Sequence, residues 1–182
     1  VVLLILTVGL TMVLQWESAE EQLWNELHER NIPEIDFIEY TDEGNAIAFY
    51  KDGVEMAHKA VVYERHFRSW EYIGNFNLTF DLEDFYEYHD EKEYPFYMSS
   101  ISPPDSGQLV IVTIVDPTID RVVIEQEGEN LGELELLPDH REGDGKARFG
   151  YLEKEENLFE NGGEWGLAAY DRDGQLIQRE TY

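Results

Sequence analysis

Asp171, Asp173 and Gly174, with Glu180 six residues beyond the glycine, stand at the spacing by which a calcium loop gathers oxygen ligands. The pattern is incomplete, because Ala169 occupies the place of the first Asp. The same Asp-Gly step is also a hairpin-turn signal. Asp171, Asp173 and Glu180 are the metal candidates of the chain, and calcium is the one cofactor it suggests. His89 and Glu93 have the i, i+4 spacing of a helical metal pair, although a solvated charged face is the ordinary reading of such a pair. Paired carboxylates could support glycosidase-type hydrolysis, but 40 acids guarantee such pairs by abundance alone. Tyr86, Tyr88 and Tyr94 beside acids could stack on a sugar or grip a basic peptide.

Other chemistry is excluded more firmly. No Gly-x-Ser-x-Gly occurs, and Ser99, Ser100, Ser102 and Ser106 fall in a linker-like stretch. Gly145-Lys146 is followed by Ala147, and His140 stands where a phosphate-binding loop needs its first glycine. No Gly-x-Gly-x-x-Gly occurs, and the chain has no Cys, which removes disulfides, thiol catalysis and Cys-ligated zinc. Asn77-Leu78-Thr79 matches a glycosylation acceptor and reads equally well as strand.

The elements that must carry these residues follow from periodicity. Residues 17–30 read as a helix, with Ala19, Leu23 and Leu27 on one face and Ser18–Glu21 as a capping box. After Pro33 the signal turns to strands at 35–40, 46–50, 54–67 and 69–80, the last bent or bulged at Gly74. Residues 81–94 suggest a short helix, and Met98–Gly107 is linker-like. Strands are expected at 108–115, 121–126, 131–137, 147–152, 164–170 and 176–181. Ala48–Gly53 echoes Ala169–Gly174, either as two related β-subdomains or as two hairpins sharing turn chemistry. The fold class expected is α+β: a mostly antiparallel sheet structure with one N-terminal amphipathic helix, preceded by an apolar anchor helix.

Three stretches together resemble small surface proteins of bacilli: Gly44–Tyr50 with Trp70 in a later strand, Ile114–Ile124, and Ala168–Ile177. The resemblance implies an N-terminal signal or anchor and a β-rich body, and it brings no activity or catalytic residues.

Charge completes the reading. Residues 1–16 carry no charge, while the rest carries all 40 acids and 13 bases, for a net charge of -27. The apolar segment is slightly short for a bilayer core of about 30 Å. Its Trp16 suits an interface, and no small-x-small cleavage site follows. A signal anchor over 1–16, a juxtamembrane helix over 17–31 and an acidic extracytoplasmic domain over 32–182, with a possible boundary near 98–107, are therefore expected. The alternative is secretion after cleavage. So negative a body repels phosphate backbones, which argues against nucleic acid. It favours a basic protein or cell-wall partner, or adaptation to a saline or alkaline exterior. The function expected is a non-enzymatic, membrane-anchored interaction module. The alternatives are a carboxylate-dependent envelope hydrolase and a calcium-responsive surface module.

Overall fold

The computed structural model describes residues 18–32, 35–52, 57–67, 69–78, 96–101, 107–137, 148–154 and 164–182. Among these residues one helix, α1 (Ala19–Glu29), precedes twelve strands. These are β1 (Ile35–Tyr40), β2 (Ala46–Asp52), β3 (Ala57–His66), β4 (Ser69–Asn77), β5 (Phe96–Ile101) and β6 (Gln108–Ile114). They continue with β7 (Arg121–Gln126), β8 (Glu129–Glu133), β9 (Glu135–Leu136), β10 (Arg148–Lys154), β11 (Trp165–Tyr170) and β12 (Leu176–Thr181).

The strands form three four-stranded antiparallel sheets: β1-β2-β3-β4, then β5-β6-β10-β9, then β12-β11-β7-β8. The expected mostly antiparallel class with one helix holds. Residues 129–137 tie the second and third sheets together. Their first part pairs with β7 and their last with β10, and Leu134 at the crossing donates its N–H to the Val122 carbonyl at 2.9 Å. A strand that changes sheets in this way makes a corner between layers.

Strand β6 explains the layering. All seven of its residues are buried. Leu109 and Ile111 enter the core between the first and second sheets, while Val110, Val112 and Ile114 enter the core between the second and third. A near-continuous apolar run, here Leu109–Val112 and Ile114, is what a strand covered on both faces requires. Strand β2 behaves alike, sending Ile47 and Phe49 towards the second sheet and Ala46, Ala48 and Tyr50 towards the helix. Phe37, Phe49 and Phe149 stack across the first interface, with centroids 4.5 Å and 4.8 Å apart.

The helix closes the outer face of the first sheet with the buried pair Leu23 and Leu27. Its capping box forms as the sequence indicates: Ser18 Oγ accepts from the Glu21 N–H at 3.2 Å and Glu21 accepts from the Ser18 N–H at 2.7 Å. Trp70 Nε1 donates to the Ala19 carbonyl at 2.7 Å, and Arg30 lies 3.9 Å over the Tyr72 ring. The bend expected at Gly74 is a bulge: Val62 pairs with Gly74 and Tyr63 with Tyr72, leaving Ile73 as the extra residue.

Two expectations change. The transmembrane helix and signal anchor placed over 1–16 lie outside the described residues. Among the described residues no helix is long and apolar enough to cross a membrane. The helix present has 11 residues, about 16 Å of rise against a core of about 30 Å, so the membrane-spanning assignment is withdrawn. The linker-like segment at 98–107 begins as strand, because Met98–Ile101 pair with Val112–Leu109 in a continuous ladder. Serine and proline density suggested a loop there, but Phe96 and the neighbouring apolar β6 supply the partner that local composition does not reveal. The helix expected at 81–94, with His89 and Glu93, lies outside the described residues, as does the turn at 141–146.

Burial on both faces of β6 makes its core positions costly to truncate. Ile111, fully buried, should lose about 2–5 kcal/mol on Ile111→Ala. Urea unfolding of the variant checks this.

Candidate functional site

Five carboxylates from separate parts of the chain converge on one cleft of about 190 Å³, lined by Asp42, Glu43, Glu133, Glu135, Tyr151, Leu152 and Glu153. Among the described lining residues none is basic, although Arg121 pairs with Glu133 at 3.8 Å. Asp42 and Glu43 sit in the turn between β1 and β2, where Gly44 takes a positive φ of 89° and its N–H donates to the Thr41 carbonyl. Glu133 ends β8, Glu135 begins β9, and Tyr151 and Glu153 lie on β10.

Polar contacts fix the walls. Asn45 Nδ2 donates to Glu153 Oε1, joining residues 108 positions apart and the first two sheets. The other Glu153 oxygen is shielded from solvent and has no hydrogen-bond donor among the described residues. Tyr151 donates its hydroxyl to Glu135 Oε2 at 2.9 Å. Burial first, then the Glu135 carboxylate, pushes the Tyr151 phenol well above its ordinary value. Such a cleft concentrates negative potential and presents acceptors, which is the environment an ammonium or guanidinium seeks.

The calcium candidates fall elsewhere and are not gathered. Asp171 caps the β11–β12 turn, its Oδ1 accepting the Asp173 N–H at 3.0 Å and the Gln175 N–H at 2.7 Å. Asp173 is part of that turn, with Gly174 at φ 78°. Glu180 pairs with Leu167, four residues along β12 from the Leu176–Tyr170 pair, roughly 13 Å away at strand rise. It accepts from the Tyr182 hydroxyl at 2.6 Å. Among the described residues no group of three or more His, Asp or Glu is arranged to hold a metal ion. The carboxylate-hydrolase alternative finds acids in the cleft, but their number singles out no acid–base pair.

Sequence reading missed the cleft, whose residues share no motif. One signal did exist. Tyr40-Thr41-Asp42-Glu43-Gly44-Asn45-Ala46-Ile47 parallels Tyr170-Asp171-Arg172-Asp173-Gly174-Gln175-Leu176-Ile177. Both close the same way: Thr41 N–H to the Asn45 carbonyl in one, Asp171 N–H to the Gln175 carbonyl in the other, each at 2.9 Å. The first copy borders the cleft and the second holds the calcium candidates. In the other echo, Ala48–Gly53 with Ala169–Gly174, the turn that ends Ala48–Gly53 lies outside the described residues.

A second groove, of about 240 Å³, lies at the end of the third sheet, where Arg179 pairs with Glu125 at 2.8 Å. Tyr170 also donates to Glu125, at 3.2 Å, so Glu125 is matched internally, while Glu127 and Glu164 also line the groove.

No protein family, curated protein or solved structure matches this chain.

Two outcomes follow. Burial drives Tyr63 up to about 12, with Arg30 opposing in part, so the folded state holds this proton more tightly than the unfolded state does. Stability from this group is fully present below about pH 10 and is lost as pH rises towards 12. Tyr63→Phe should therefore flatten the alkaline limb of a melting-temperature profile. Calcium chloride should raise the melting temperature no more than sodium chloride at matched ionic strength, with no saturation, and Asp171→Asn with Asp173→Asn should leave that response unchanged.

Proposed function

We propose that this chain is a non-enzymatic interaction module whose acidic cleft receives a cationic side chain of a partner protein. The observation that carries the reading is the lining itself: among the described residues, five carboxylates and no base, with one carboxylate oxygen shielded and donor-free, and only Glu133 paired with a cation, Arg121 at 3.8 Å. Like charges held together at a cleft oppose folding, and such a cost is commonly kept where it serves binding. The remaining negative charge suits a saline or alkaline exterior, where salt screens exposed acids over about 8 Å or less.

The test compares two variants of equal charge change. Asp42→Asn with Glu43→Gln neutralises the cleft, and Glu127→Gln with Glu129→Gln neutralises a distant turn. Binding of a labelled arginine-rich peptide, read by fluorescence anisotropy, should weaken about fivefold or more for the cleft variant and less than about twofold for the distant one. The cleft variant should also melt higher, since it relieves repulsion. Equal weakening in both would reduce the cleft to a share of general attraction and overturn the reading.

A further inference from the structure

The register of the third sheet brings a cation to the margin of the cleft. Strand β8 pairs with β7 so that Glu133 lies opposite Val123. Arg121, two residues along β7 on the same face, is therefore the diagonal neighbour of Glu133. Its guanidinium stands 3.8 Å from Glu133 Oε2. On the other side of β7, Tyr170 of β11 lies opposite Arg121, and the guanidinium sits 4.5 Å over the Tyr170 ring. Two other acids of the cleft are held by neutral donors, Glu153 by the Asn45 amide and Glu135 by the Tyr151 hydroxyl. Among the described residues Arg121 is the one formal counter-charge paired with a carboxylate of the cleft.

This pair is easily exchanged. At 3.8 Å it is too long for a hydrogen bond. The Arg121 and Glu133 side chains are 43% and 54% exposed, so water and salt compete with their attraction. The stack on Tyr170 does not depend on Glu133. A guanidinium displaced from the carboxylate keeps the ring face, which attracts a cation, and is solvated on its other sides. A cation entering the cleft also reaches acids that Arg121 does not pair with, on the β1–β2 turn, β9 and β10.

We infer that Arg121 is an internal competitor for the cation that the cleft receives. It holds Glu133 in the unbound chain and retires onto Tyr170 when a partner's cationic group takes that carboxylate. The inference rests on the cleft being a receptor for cationic side chains. Arg121 then sets affinity and selectivity without touching the partner, because it acts through Glu133. A cation that reaches Glu133 alone merely replaces one pair by another. A group that also engages Glu43, Glu135 or Glu153 gains contacts beyond the exchange, so the competitor favours partners that fill the cleft.

Fluorescence anisotropy of the labelled arginine-rich peptide with the whole chain, in about 150 mM NaCl, tests this. Arg121→Gln should tighten binding about threefold or more. Lys51→Gln removes the same charge from an exposed position near the far end of β2, roughly 17 Å along the strand from the Asp42–Glu43 turn. It should tighten binding less than about 1.5-fold, since salt screens charges over about 8 Å. In a Glu133→Gln background, Arg121→Gln should also change binding less than about 1.5-fold, because the competition acts through that one carboxylate. Weaker binding for Arg121→Gln, or a gain no larger than that of Lys51→Gln, would overturn the inference. So would a gain that persists undiminished in the Glu133→Gln background. If Asp42→Asn with Glu43→Gln weakens peptide binding but Arg121→Gln does not tighten it, only the competitor fails. If the Asp42→Asn, Glu43→Gln chain binds as the unaltered chain does, the reading of the cleft fails with it.

Discussion

The whole structure depends on two strands, β2 and β6, being covered on both faces. Each alternates its side chains between two different cores. A strand of this kind cannot lie at a solvent boundary, so a layer must pack on either side of it. The helix and the second sheet cover the first sheet around β2. The first and third sheets cover the second around β6. Thr113, the polar residue inside the β6 run, is accommodated because its hydroxyl donates to the Leu78 carbonyl at 3.0 Å, as a buried hydroxyl requires.

That stacking sends the charge to edges and turns. With apolar side chains filling three cores, the many acids must sit at strand ends and in connections, where water still reaches them. Where a turn of one layer meets the edge of the next, acids from unrelated segments come together. The cleft is such a meeting point: the β1–β2 turn belongs to the first sheet, β9 and β10 to the second, and β8 to the third. Asn45 spans the first gap through Glu153, and within the second sheet Tyr151 of β10 holds Glu135 of β9. The cleft is thus a product of layering.

Several features were legible in the chain because they are set locally. The helix start, the β6 run, the bulge beside Gly74 and the turn at Arg172-Asp173-Gly174 each depend on residues within one or two turns of chain. The misreadings have an equally specific cause. Met98–Ile101 looked like a linker because its pairing partner lies ten or so residues on, beyond the reach of local composition. Asp171, Asp173 and Glu180 keep part of a calcium loop's spacing, but the hairpin turn also read there is what forms. In an extended strand Glu180 is carried away from the turn, and the Asp171 carboxylate is occupied by two backbone N–H groups.

The sequence by itself determined an acidic, β-rich chain with one capped helix and strands of readable burial, since charge, periodicity and capping act over a few residues. Only the tertiary structure decided which carboxylates face one another, that Glu153 meets Asn45, and that acids of three sheets border one cleft. These depend on sheet order and on which turn meets which edge. Both are set by how the apolar faces of distant segments cover one another, which no local pattern encodes.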